Sequence, residues 1–420
     1  MGAKRRQPGR GAQRGGRNRL EFPIGKVLYE TVGWISHPRF SPKGDCVAFL
    51  DHPVPEDDGG SVAVVDLTGS KRTLSSRGTS TQGLAWSPNG EEIWFTAAKV
   101  SNARGLFAVT LSGRQRDLAR VPGVLTLQDV SRDGRVLLAR DNLRREVTGI
   151  SAGGNEERNL TWLDWSLPAD LSADGKTLLL EEQGEGGGAA YSVYLRETDG
   201  TAAVRLGEGR GFALSPDKNW VISGLLSSPG LFLLPTKAGE PRLLTQDAIN
   251  HFNARWFPDG KRFLFSGNEP GHGARLYVQD IAGGMPKAIT PEGIISNRID
   301  RPISPDSKWA ATIGPDHRGY LYPVAEGEAR PIPGFTAGDA PVGWSADSRN
   351  LYIFRHGEFP AKVYLLDIEN NQKKLVKELM PRDPAGVNLI SPILVTPDGK
   401  SYVYGYRRIL SDLYLVEGLK

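Results

Sequence analysis

A single cysteine, Cys46, stands in 420 residues, so no disulfide can form within the chain and the fold must hold without covalent staples. No run of 18 apolar residues occurs, which excludes an ordinary membrane-spanning helix. The basic start is not followed by an apolar segment of signal-peptide length, so the chain as written reads as cytoplasmic. The 3.6-residue apolar period of amphipathic helices is missing as well, and with it the helical fold classes. Catalytic signatures are equally scarce. There is no G-x-S-x-G elbow and no H-R-D, D-F-G or V-A-I-K of a protein kinase. The six histidines include no H-x-x-x-H pair of the kind that holds zinc. Gly184-Glu185-Gly186-Gly187-Gly188-Ala189 has the form G-x-G-x-x-A, but an alternating segment, Tyr191–Arg196, follows it. A dinucleotide site needs a helix opening there to meet the pyrophosphate, so the segment reads as an interstrand loop. No catalytic residue, cofactor site or metal site is assigned, and the chain is not expected to be an enzyme.

What the sequence has in quantity is turn-forming residues, 51 glycines and 29 prolines. Glycine supplies positive φ and proline presets φ at the first turn position, so many short strands are implied. The net charge of +4 is unevenly placed. Residues 1–19 hold seven of the 52 basic residues and no acid, leaving 45 basic against 48 acidic beyond them. That Gly/Arg-rich segment has too little apolar surface to offset the entropy of ordering, and is expected to be a disordered tail. The body, 20–420, is mildly acidic, and no nucleic-acid partner is expected for it.

One short motif recurs along the body: Ser41-Pro42-Lys43-Gly44, Ser87-Pro88-Asn89-Gly90, Ser131-Arg132-Asp133-Gly134, Ser172-Ala173-Asp174-Gly175, Ser215-Pro216-Asp217-Lys218, Phe257-Pro258-Asp259-Gly260, Ser304-Pro305-Asp306-Ser307, Ser345-Ala346-Asp347-Ser348 and Thr396-Pro397-Asp398-Gly399. Successive copies lie 41–51 residues apart, which is a repeat with loop-sized scatter. Each is a β-turn in its chemistry, although Lys218, Ser307 and Ser348 replace the final glycine and predict strained or altered turns there. A β-rich run follows every motif, and two further runs complete a unit of four short antiparallel strands. Repeated four-stranded units of this length predict an all-β propeller, because such sheets bury their two faces only against one another. Nine repeats give eight or nine blades. Pairing of the two chain ends, with Lys26–Thr31 as the outer strand of the last blade, is one way to close the ring; the alternative makes Arg19–Ile24 and Lys26–Glu30 the last strands of an earlier blade.

Candidate ligand-binding residues are few. Trp162 and Trp165 precede Leu167-Pro168 in a segment unlike the other repeats, whereas Trp86, Trp256 and Trp344 recur just before the corner motif as packing residues would. His251, His272 and His356 are the histidines that a ring is able to bring to one mouth. The function read from these residues is binding or sensing of a protein, peptide or glycan across a ring face. A hydrolase or lyase with a dispersed active site is the alternative.

The segments Phe40-Ser41-Pro42-Lys43-Gly44-Asp45, Trp86-Ser87-Pro88-Asn89-Gly90 and Trp256-Phe257-Pro258-Asp259-Gly260-Lys261 resemble the TolB-like, WD-like propeller repeat over roughly residues 35–420. Gly33-Trp34-Ile35-Ser36-His37-Pro38, Gly59-Gly60-Ser61-Val62-Ala63-Val64-Val65-Asp66-Leu67 and the ending from Tyr404 to Gly418 are similar to the C-terminal propeller region of bacterial eukaryotic-like serine/threonine protein kinases of acidobacterial type. That resemblance implies a sensor propeller joined in its parent protein to an upstream membrane span and kinase domain, and then an extracytoplasmic location. Neither the span nor the kinase is present in these residues, so no catalytic residue carries over.

Overall fold

A computed structural model describes residues 12–14, 17–31, 33–53, 58–99, 103–121, 123–294, 296 and 300–419. Among them the protein is all-β, and a single 3-10 turn, Glu185–Gly187, is the one helical element. The strands are gathered into antiparallel sheets of mostly four strands in sequence order. The corner motifs are tight turns that lead into the second strand of a blade, built as the composition predicts, with the bridge at Ile303 standing before the corner at Ser304. In the copy at Ser215, the serine Oγ donates to Asp217, Asp217 accepts the N–H of Asn219, and Ser215 Oγ accepts the N–H of Trp220. The same triangle recurs at Ser172, Ser304, Ser345 and Thr396. It satisfies the backbone donors that the bend takes out of the ladder.

The three corners without glycine keep the same left-handed conformation, with φ of 60° at Lys218, 61° at Ser307 and 60° at Ser348. A side chain there costs about 1 kcal/mol. Two of the three side chains reach the preceding corner: Lys218 Nζ lies 2.6 Å from Asp174, and Ser348 Oγ accepts the N–H of Asp306 at 3.0 Å. The strain is thus offset by contacts that glycine is unable to make.

The chain divides into two compact units, residues 1–143 with 409–420, and residues 144–408. The first contains the corners at Ser41, Ser87 and Ser131. Its sheets are Ala12–Arg14/Arg17–Glu21/Val27–Thr31, Trp34–Phe40/Cys46–His52/Ser61–Asp66/Lys71–Thr73, Ser80–Trp86/Glu92–Ala98/Gly105–Thr110/Gln115–Ala119, and Val124–Val130 with parts of two long strands. Ala48, Leu50, Val62, Leu84, Phe95 and Phe107 form one of its cores between adjacent sheets.

Residues 144–408 contain the other six corners and form a closed ring. Its blades begin with the inner strands Ser166–Leu171, Arg210–Leu214, Asn250–Trp256, the segment ending in the bridge Ile303–Ala310, Asp339–Trp344 and Val387–Val395. Each inner strand touches the next: Asn253 and Arg255 bond the carbonyls of Ser296 and Asp300, and Trp344 Nε1 donates to Pro302 O at 2.9 Å. Val387–Val395 in turn lies against Ser166–Leu171, which returns the ring to its start. The last blade is composite. Its two inner strands, Val387–Val395 and 402–408, come from the end of the unit, and its two outer strands, 144–150 and Arg158–Asn159, from the beginning.

Of the two arrangements left open by the sequence, the pairing of the chain ends is not the one observed. The C-terminal strand Tyr402–Val416 pairs with the mid-chain strand Val136–Ile150, while Val27–Thr31 pairs with Arg17–Glu21, so among the described residues the two chain ends do not meet in one blade. The fifteen-residue strands offer each other a longer continuous ladder than a five-residue N-terminal strand offers either. The ring in 144–408 closes after six blades, short of the eight or nine that nine corners suggested. Of the basic segment expected to be a tail, residues 1–11, 15 and 16 lie outside the described residues, and Ala12–Arg14 pairs with Arg17–Arg19.

Candidate functional site

Inner strands of a propeller converge on its axis, and here each complete one carries a bulge three to five residues before its corner. Register shifts fall at Pro168/Asp170, Gly211/Ala213, His251/Asn253, Pro341/Gly343 and Ile390/Ile393. A bulge re-aims the side chains that follow it. At the corner end of the 144–408 ring the result is a funnel of about 510 Å³ to which all six blades contribute. That volume is within the range of ligand pockets. Its collar is apolar, with Leu214, Pro216, Phe257, Pro258, Val395 and Pro397 among the lining residues.

Polar groups stand below and around that collar. Arg301, from the fourth blade, reaches across the axis to the first blade, where its guanidinium pairs with Asp170 and donates to Leu171 O at 2.9 Å. Asp170 is held by the N–H groups of Leu171 at 3.0 Å and Leu214 at 2.8 Å. Beside them Arg255 is buried, its Nε donating to Asp300 O at 2.8 Å. Two lining donors are buried without an acceptor: Arg301 Nε and Trp256 Nε1. The tryptophans at the corresponding place elsewhere are satisfied, Trp86 by Arg39 O at 3.2 Å and Trp344 by Pro302 O. At the rim, partial burial tends to raise the Asp174 carboxyl, but Lys218 and the Ser172 hydroxyl outweigh it and bring it down to about 2.

The residues singled out from sequence lie elsewhere; none of Trp162, Trp165, His251, His272 and His356 lines the funnel. Trp162 and Trp165 sit in the loop entering the first blade, about 17 Å of strand away from its corner. Arg196 covers Trp162 at 5.6 Å and Arg145 covers Trp165 at 5.9 Å. The loop is pinned from below: Trp162 N–H donates to Ser166 Oγ, and Leu163 N–H to Glu182 Oε1. Burial pushes Glu182 up to about 7 against the bonds from Ser166 and Leu163, with Asp164 adding to the rise. His251, at the start of its inner strand, has a side chain that is 1% exposed; its Nδ1 donates to Pro229 O at 2.9 Å and its Nε2 lies 3.6 Å from Asp247. With Arg210 and Phe252 it lines a separate cavity of about 180 Å³. His272 is exposed and bonds Glu292 at 3.0 Å, which Gly273 N–H, His272 and Arg275 hold down to about 2. His356 packs edge-on against Phe354, and burial lowers its pKa. The three histidines share no bonding partner among the described residues, and no group of three His, Cys, Asp or Glu there is arranged to hold a metal ion.

The funnel was missed because the corner residues among its lining were read as turns, and Asp170, Arg255 and Arg301 were not singled out. Two places before the six ring corners stand Asp170, Ala213, Arg255, Pro302, Gly343 and Leu394, of which Asp170 and Arg255 carry charge. A charged side chain on an otherwise apolar inner strand was the available signal.

Four-stranded blades that close on a central funnel define the class: residues 144–408 are a β-propeller. No family model matches the chain, and no curated protein matches it. Among solved structures it is similar to TolB from Acinetobacter baumannii, at 17% identity over 68% of this chain and 65% of that one, with a TM-score of 0.32. The chain thus spans just under two thirds of that protein's length. An oligogalacturonate lyase in complex with manganese matches at 16% identity over 66% of this chain and 77% of that one, with a TM-score of 0.38. A prolyl endopeptidase matches at 14% over 88% and 54%, with a TM-score of 0.35.

Proposed function

We propose that this protein is a non-catalytic binding module whose 144–408 ring takes a protein or peptide segment into the funnel at its corner end. The observation that carries the reading is that six blades, 41–51 residues apart in sequence, each deliver lining residues to one cavity with an apolar collar and a charged floor. An extended segment with apolar side chains suits the proline and leucine collar. Within this reading the module acts as a sensor, and its place in a longer signalling chain follows from the resemblance to kinase-associated propellers. The dispersed hydrolase or lyase is the competing reading.

Peptide display against the full chain tests the proposal, with Ala173→Trp as the control. Ala173 is an exposed corner residue on the funnel rim, so the larger side chain narrows the mouth without entering the core. Selected peptides should bind the native chain and lose at least tenfold in affinity to Ala173→Trp. Binding unchanged by that substitution, or turnover of a substrate by the purified chain, refutes it.

A further inference from the structure

We infer that the funnel recognises the carboxylate of its peptide ligand, and that Asp170 occupies the carboxylate position until the ligand displaces it. The inference rests on the reading of the funnel as a peptide site and adds the chemical group that is read there.

Donors are in surplus around the funnel. Arg301 Nε and Trp256 Nε1 are buried without acceptors, and both belong to residues that line the funnel. A buried donor left unpaired is unfavourable, and a fold that leaves two of them at one cavity is stabilised by a guest that brings acceptor oxygens. The guanidinium fork matches a planar carboxylate, which it can hold through two parallel N–H bonds. One carboxylate is already there: Asp170 engages a terminal Arg301 nitrogen and leaves Nε free. Asp170 has a second set of donors, the N–H groups of Leu171 and Leu214, on which it can remain when Arg301 turns to a ligand. The exchange leaves Asp170 on those two N–H bonds. It replaces one Arg–carboxylate pair by another and adds an acceptor for Trp256. Around it, Pro216, Phe257, Pro258 and Val395 accept the apolar part of the same peptide.

The test uses the full chain and three synthetic hexapeptides of one apolar sequence, measured by calorimetric titration. The first ends in a free carboxylate, the second in an amide, and the third is the amide with glutamate at the fifth position. The free acid should bind at least tenfold more tightly than the plain amide; recovery of binding by the third peptide would assign the carboxylate to a side chain instead of the chain end. Asp170→Asn removes the internal competitor and should tighten the carboxylate peptides several-fold. Arg301→Gln should weaken them at least tenfold, and Trp256→Phe a few-fold. Where Arg301→Gln unfolds because Asp170 loses its partner, the double variant Asp170→Asn with Arg301→Gln restores a neutral pair and should fold without binding. Equal binding of acid and amide, or weakening by Asp170→Asn, overturns the carboxylate inference and leaves the funnel as a peptide site. No binding of any of the three, nor of displayed peptides, overturns both.

Discussion

Replacing Glu182 by glutamine changes a buried carboxyl into a neutral group that keeps the same acceptor oxygen, and this isolates one ionisation. Glu182 is fully buried on the second strand of the first ring blade, where its Oε1 accepts from Ser166 and from Leu163 N–H while Oε2 has no partner. Burial, reinforced by Asp164, raises its pKa from 4.5 to about 7. Between those values the unfolded chain releases this proton and the folded chain retains it, so stability must fall as the pH rises. The fall begins near pH 4.5, is complete near pH 7, and amounts to ~3 kcal/mol at full development. Glutamine accepts the Ser166 and Leu163 bonds and does not ionise. Urea denaturation of wild type and Glu182→Gln from pH 4 to 8 gives the difference directly. The two proteins should be nearly equal at pH 4, with the variant increasingly the more stable towards pH 7 and the gap constant beyond. A gap independent of pH, or one that opens on acidification, would refute the argument that desolvation dominates at this site.

Other consequences are as concrete. Below pH 4 the chain should lose stability as the corner aspartates protonate: their folded values are depressed, Asp174 to about 2, so the contribution present at neutral pH disappears between about 4 and 2 and Asp174→Asn should flatten part of that acid limb. Gly83→Ala should destabilise by ~3 kcal/mol or more in thermal melts, since its φ is +71° and a Cβ would stand 2.1 Å from Leu127 O. Lys218→Gly should change stability by under ~1 kcal/mol, because relief of left-handed strain opposes loss of the Asp174 pair, and the small net effect should turn destabilising at low salt. Arg242→Ala and Arg330→Ala should each cost ~0.5–1 kcal/mol in the same melts, through loss of guanidinium stacking at 4.0 Å over Trp220 and 4.6 Å over Trp309.

Much of the blade was legible because its rules are local. The Ser–Pro–Asp–Gly corner binds its own backbone within five residues, so the strand boundaries on either side of it follow from composition alone. Ring size is not local. It depends on whether Val136–Ile150 prefers Tyr402–Val416 or a nearer neighbour, and nothing in either segment names its partner. The funnel was hidden for the same reason. Arg301 and Asp170 are 131 residues apart, and each alone looks like a surface charge at a strand end. The conspicuous aromatic residues pointed to the other end of the blades, where Trp162 and Trp165 are stacked beneath arginines, because rarity in a sequence is easier to see than convergence in space.

The composite sixth blade has a consequence for how the chain reaches this state. Arg145 bonds the carbonyl of Ser391 across 246 residues, and Tyr402 and Tyr404 both bond Glu157 across about the same span. During synthesis the strands 144–150 and Arg158–Asn159 emerge early and have no inner partners until residues 387–408 leave the ribosome. Five blades can therefore assemble in succession while the ring stays open. The last ladder forms only at the end, converting a row of sheets into a single cooperative body and withdrawing both exposed edges at once.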